Sequence, residues 1–143
     1  NLQYGKGQIL KEGSKDGNNA GGNVAIIAVG SMVEETYKAI DMLEKENVHP
    51  AFVNPVFIKP MDTELIKRVA ENHKHLIVVE EGIKKGGFGE SVETFILESG
   101  IDADVQVMAI DDRFVEQGNV ALLREEIGIS YKNIYEKVME LTR

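Results

Sequence analysis

The sequence contains no cysteine and no tryptophan among its 143 residues, and only three prolines and three histidines. The missing cysteine excludes disulfides, thiolate zinc sites, iron–sulfur clusters and cysteine nucleophiles together. It also suits a reducing compartment, so a cytoplasmic location is expected. Basic residues are in the minority, with 16 Lys+Arg against 24 Asp+Glu and a net charge of −8. That balance lacks the basic stripe of a nucleic-acid binder and the polybasic segment that docks on anionic lipid. No apolar run approaches the roughly 20 residues that span a bilayer. No signal-peptide pattern opens the chain. The expected partners therefore include no nucleic acid and no membrane. The first residue is Asn1 rather than Met, which leads us to expect a piece of a longer multidomain protein.

With 43% apolar and 28% charged residues, the chain has the composition of a globular protein with a real core, and its length suits one domain over 1–143. Gln8-Ile9-Leu10 suits an edge strand. Gly13 to Asn23 has almost pure turn composition and reads as a solvated loop. Val24 to Val29 is continuously apolar, the pattern of a strand buried on both faces and hence of a parallel sheet. Val33, Tyr37, Ile40 and Leu43 then fall at helical spacing. The alternation repeats, with strands expected at Ala51–Val53, Leu76–Val79 and Val105–Ile110. A helix capped by Asp62 would place Leu65, Ile66, Val69 and Ala70 inward. Another would bury Phe88, Val92, Phe95 and Ile96 and stop at Gly100. Asn119 and Ser130 are expected to cap two further helices, the last with Ile134, Val138 and Leu141 on one side. The expected architecture is α/β, a three-layer αβα arrangement around a mostly parallel sheet that leaves room for one antiparallel edge strand.

In such sheets ligands bind where the strands end on their carboxyl side. Gly30-Ser31, Asn54 to Pro60, Glu80 to Gly89 and Asp111 to Gly118 occupy that position. Gly30-Ser31 could present backbone N–H groups to a phosphate, or be a tight turn with Ser31 as a helix cap. Gly86-Gly87-Phe88-Gly89 after Lys84-Lys85 could hold an anion, or the glycines could permit close packing while the lysines stay in water. Glu80 and Glu81 are adjacent on a strand and point to opposite faces, so they form no dyad; one of them is expected to make a structural or interfacial hydrogen bond. His73 and His75 could begin a metal site, but no third ligand lies nearby, and surface histidines are expected. No dinucleotide or P-loop fingerprint and no G-x-S-x-G elbow occurs. The motifs display no catalytic residue, cofactor ligand or metal site.

Several segments taken in order resemble the C-terminal domain of the transketolase-like, thiamine-diphosphate-dependent enzymes. Among these the 1-deoxy-D-xylulose-5-phosphate synthase family is most similar. The segments are Tyr4-Gly5-Lys6-Gly7, Val24 to Ser31, Phe57-Ile58-Lys59-Pro60-Met61-Asp62, Glu80-Glu81 with Gly86-Gly87-Phe88-Gly89, Asp112 to Gly118, and Glu126 to Ile129. Val56 stands where that family commonly has arginine, Gln117 where it commonly has histidine, and the loop from Gly13 to Asn23 is longer than usual. The resemblance implies a packing domain of a transferase that condenses pyruvate with glyceraldehyde 3-phosphate. Thiamine diphosphate and magnesium would bind outside this chain. The implied partners are the N-terminal and middle domains of the same enzyme and a second subunit in a homodimer. It also implies an interdomain or dimer surface built from Phe57, Lys59, Pro60, Asp62, Glu81, Gly86, Gly87, Phe88 and Gly89. Transketolase itself, the β chain of a 2-oxoacid dehydrogenase, and a free-standing module that binds a small anion remain the other readings.

Overall fold

A computed structural model of the chain describes residues 5–14, 20–56, 59–83, 87–110 and 130–142. Along the chain run β1 (Gln8–Lys11), β2 (Val24–Ala28), α1 (Met32–Glu44), β3 (Ala51–Asn54), α2 (Thr63–Asn72), β4 (His75–Ile83), α3 (Phe88–Ser99), β5 (Asp104–Ile110) and α4 (Tyr131–Thr142). The expected helix containing Leu122, Leu123 and Ile127, with its Asn119 cap, lies outside the described residues, as does Asp111 to Gly118.

The five strands form one sheet in the order β1-β3-β2-β4-β5. β1 pairs antiparallel with β3, and the remaining pairs are parallel. Strand alternation divides the apolar side chains between two cores. Val24, Ile26, Ala28, Phe52, Ile77 and Val79 face α1 and α4. Ala25, Ile27, Val53, Leu76 and Val78 face α2 and α3. Both faces of β2 are therefore covered, which is why that strand is apolar at every position. The three layers follow from helices that must each bury one stripe.

Three expectations need correction. The inner stripe of α1 is Met32, Thr36, Ala39, Ile40 and Leu43, whereas Val33 lies at its margin and Tyr37 is 39% exposed. Tyr37 instead sets its ring edge against Phe52, with centroids 5.0 Å apart. An apolar count passed over Thr36 because its hydroxyl is polar, yet that hydroxyl is satisfied by the Met32 carbonyl at 2.8 Å. Ser31 precedes α1 but makes no side-chain capping bond, and its own φ of −63° and ψ of −18° are already helical. Finally, β4 does not close before Glu80-Glu81 but runs through both to Ile83.

The strand order reverses between β2 and β4, because the chain leaves β2 towards β3 on one side and later returns to β4 on the other. Doubly wound sheets open a crevice at such a point. The carboxyl ends of β2 and β4 flank it.

Candidate functional site: the carboxyl rim of the sheet

The rim is organised by carboxylates that turn inward to helix starts. A helix leaves its first N–H groups without intrahelical partners and carries partial positive charge there, so an acceptor with negative charge is favoured. For α2 the acceptor is its own N-cap: Asp62 Oδ1 accepts from Leu65 N at 3.1 Å. The other oxygen, Oδ2, accepts from Gly7 N at 2.9 Å and ties the segment before β1 to the same point. Gly7 fits because its backbone lies against Leu65 and Pro55. A Cβ there would stand 2.6 Å from Leu65 Cδ2 and 2.9 Å from Pro55 Cα.

For α3 the N-cap is Gly87, which has no side chain to offer. Glu80, reaching across from β4, accepts from Gly89 N at 2.7 Å. Glu80 is buried, 4% exposed as a residue. Burial pushes its pKa above the ordinary glutamate value. The backbone N–H groups of Gly89 and Phe88 oppose that shift, and the nearby charge of Glu90 adds to it. Gly89 itself is a helix–sheet contact, since a Cβ would lie 2.5 Å from Val107 Cγ1.

Glu81 points to the opposite face and accepts from the Ser31 hydroxyl at the start of α1. That bond crosses the crevice between β2 and β4. At α4, Ser130 precedes the first turn, where its hydroxyl at 2.6 Å and its N–H at 3.3 Å both donate to Asn133 Oδ1, while its backbone carbonyl accepts from Asn133 N and Ile134 N. Glu35, buried on α1, also accepts from Tyr131 N at 2.9 Å. Pattern reading found Asp62 and missed Glu35 and Glu80 as helix-start acceptors. Their partners lie 96 and nine residues away.

Beyond Asn54 the rim carries backbone strain. Val56 sits at φ +64°, a region that β-branched residues rarely enter. Its N–H donates to Asn54 Oδ1 at 2.8 Å, which holds the turn.

Of the residues expected at an interdomain surface, Lys59 and Pro60 are exposed. Glu81 and Gly87 are partly buried. Asp62, Phe88 and Gly89 are buried. Phe57 and Gly86 lie outside the described residues, as do Lys84 and Lys85.

The three histidines have separate partners at the other rim or in loops. His73 Nδ1 lies 2.8 Å from the Val69 carbonyl, His75 pairs with Asp104, and His49 Nε2 lies 3.0 Å from Asn47 Oδ1. Among the described residues no group of three or more histidines and carboxylates could hold a metal ion. Asp62 and Glu80 meet backbone N–H groups and do not converge on a common point. These donors do not fit a magnesium–diphosphate site. Among the described residues no helix is long and apolar enough to cross a membrane.

Residues 9–134 match the family model described as transketolase, C-terminal domain. A 1-deoxy-D-xylulose-5-phosphate synthase of Dehalococcoides mccartyi strain 195 is 38% identical over 143 residues, covering 99% of this chain and 21% of the relative. The synthase of that name from Heliobacterium modesticaldum is 35% identical over 98% of this chain and 20% of its own length. The chain thus spans about a fifth of the length of these relatives. A solved structure titled "Split gene transketolase, inactive beta4 tetramer" superposes with a TM-score of 0.82 at 28% identity, covering 99% of this chain and 45% of the other.

Proposed function

This chain belongs to the transketolase C-terminal domain family, and from that premise we propose that it is the C-terminal domain of a thiamine-diphosphate-dependent 1-deoxy-D-xylulose-5-phosphate synthase. The observation that carries the reading is the 38% identity to such a synthase, running through 99% of the chain. The parent enzyme is then a cytoplasmic homodimeric transferase. It joins pyruvate to glyceraldehyde 3-phosphate, forms deoxyxylulose phosphate and releases carbon dioxide. Thiamine diphosphate and magnesium belong to the N-terminal and middle domains. The rim carboxylates of this chain serve its own helix starts, so residues 1–143 act as one packing domain without turnover of their own.

The surface that meets the rest of the enzyme is the carboxyl rim. Lys59 and Pro60, which are exposed, and Glu81 and Gly87, which are partly so, present it, with Asp62, Phe88 and Gly89 buried in the same segments, and Phe57 and Gly86 complete it in sequence. Gly87 is the sharpest probe. Its φ of −84° is open to any residue, so a bulky side chain there adds volume without backbone strain. Gly87→Leu should leave the domain folded and weaken assembly of the full-length enzyme. Unchanged sedimentation would refute the placement.

The test of function uses the full-length gene product. Carbon dioxide release from pyruvate is followed with thiamine diphosphate and magnesium, with and without glyceraldehyde 3-phosphate. Release that depends on the aldehyde, with deoxyxylulose phosphate formed, is the expected result. The 28% identical transketolase superposition favours a second reading, the C-terminal domain of a transketolase. Ketol transfer between sugar phosphates without carbon dioxide release would establish that instead.

A further inference from the structure

The end of β4 is held in an unusual way. β2 pairs with β4 as far as Ala28 and Val79. The chain then turns away at Gly30, φ +60°. On the other side, Val79 faces Met108 and Ile83 faces Ile110, so Glu80, Glu81 and Gly82 stand against the single residue Ala109. Such an excess disrupts the ladder locally and redirects side chains. The bulged stretch from Glu80 to Gly82, before the pairing resumes at Ile83, thus leans on side-chain contacts. Glu80 reaches Gly89 N on one face, and Glu81 takes the Ser31 hydroxyl on the other. Ser31 is exposed and Glu81 partly so, and a bond in that setting adds little to global stability. Its effect is local. It joins the two strands that flank the reversal of strand order, at the rim where open α/β sheets do their binding.

We propose that Ser31 and Glu81 are positioning residues: their hydrogen bond ties the bulge of β4 to the start of α1 and, by fixing the shape of this rim, sets substrate approach in the parent enzyme. The second half of this inference rests on the synthase reading; the tie itself does not. Two measurements on the full-length protein separate them.

The first is amide hydrogen exchange over residues 80–83 in Ser31→Ala, Glu81→Ala and the double variant. Each single change should speed exchange there about threefold to tenfold, and the double variant should exchange no faster than either single, the mark of one shared contact. Ser31→Thr and Glu81→Gln, which keep a donor and an acceptor, should restore the slow rate. Unchanged or additive rates overturn the tie.

The second is steady-state kinetics. Ser31→Ala and Glu81→Ala should raise KM for glyceraldehyde 3-phosphate about threefold to tenfold with kcat retained, corresponding to a coupling of the size seen between contacting residues. A loss of folded protein would lower kcat and leave KM alone, so that pattern, or unaltered kinetics, overturns the positioning role. A parent protein that makes no deoxyxylulose phosphate overturns the synthase reading and with it the kinetic half. The exchange cycle still decides the tie.

Discussion

The starts of α2 and α3 face the same problem on the same side of the sheet and meet it differently. At α2 the acceptor is Asp62, three residues before the N–H it serves, and the local chain carries the whole device. At α3 the local chain supplies Gly87, Phe88 and Gly89, with no polar side chain at the cap. The acceptor comes from the end of a strand. The difference has an electrostatic cost. Glu80 is buried beside α3, and its pKa is raised chiefly by desolvation. It also has a packing reason. Gly89 must be a glycine because α3 approaches β5 closely at Val107, which leaves little room for a larger capping residue in that turn. Where a helix start is squeezed against a sheet, the acceptor is delivered from the sheet.

The largest effect should come from filling the squeeze. Gly89→Val places branched carbon where even a Cβ meets Val107 at 2.5 Å, and overpacking of this kind costs about 3 kcal/mol. The double variant Gly89→Ala/Val107→Ala should recover much of what Gly89→Ala alone loses, measured by urea unfolding. Equal losses in the two would show that close approach is not the reason for the glycine.

Removing the local cap ranks next. Asp62→Ala orphans Leu65 N and Gly7 N together and should cost about 2 kcal/mol. Glu80→Ala removes one acceptor from a buried N–H but also relieves a buried carboxylate, so a smaller net loss of about 1 kcal/mol is expected. A greater loss from Glu80→Ala than from Asp62→Ala would reverse the comparison.

Titration sharpens it. The folded-state pKa of Glu80 lies above the unfolded one, so the folded chain holds that proton more tightly. The resulting stabilisation is complete below the usual glutamate pKa of about 4.3 and is lost as pH rises through the folded value. Glu80→Gln keeps an acceptor and cannot ionise. The stability of the wild type relative to Glu80→Gln should therefore decline with rising pH across that window; a difference that grows in favour of the wild type would contradict the burial argument. The smallest effect belongs to Lys6→Ala, which removes an exposed 3.5 Å ion pair with Glu64 at the foot of α2. It should shift stability by less than about 0.5 kcal/mol.

Much of the fold was legible because its signals are local. The apolar run from Val24 could only be a strand covered on both sides, and the spacing of Leu65, Ile66, Val69 and Ala70 after Asp62 fixed one helix and its cap. Gly100 adopts the left-handed conformation, φ +69°, that its place after α3 called for. The stripe of α1 was misread by part of a turn because Glu35 and Thr36 are buried polar residues, which no apolar count includes. Opposite directions for Glu80 and Glu81 followed from strand alternation, but their partners did not.

The sequence by itself determined the layers, most of the helices and the inward or outward sense of most side chains, since periods of two and 3.6 residues are properties of neighbouring positions. Only the tertiary structure decided the strand order β1-β3-β2-β4-β5, the meeting of Glu80 with Gly89 and of Glu35 with Tyr131, and the bond that Ser31 and Glu81 make across the β2–β4 crevice. Those contacts join elements that each satisfy their own local pattern in many arrangements. What selects one arrangement is the burial of both sheet faces together with the requirement that every buried N–H and carboxylate find a partner.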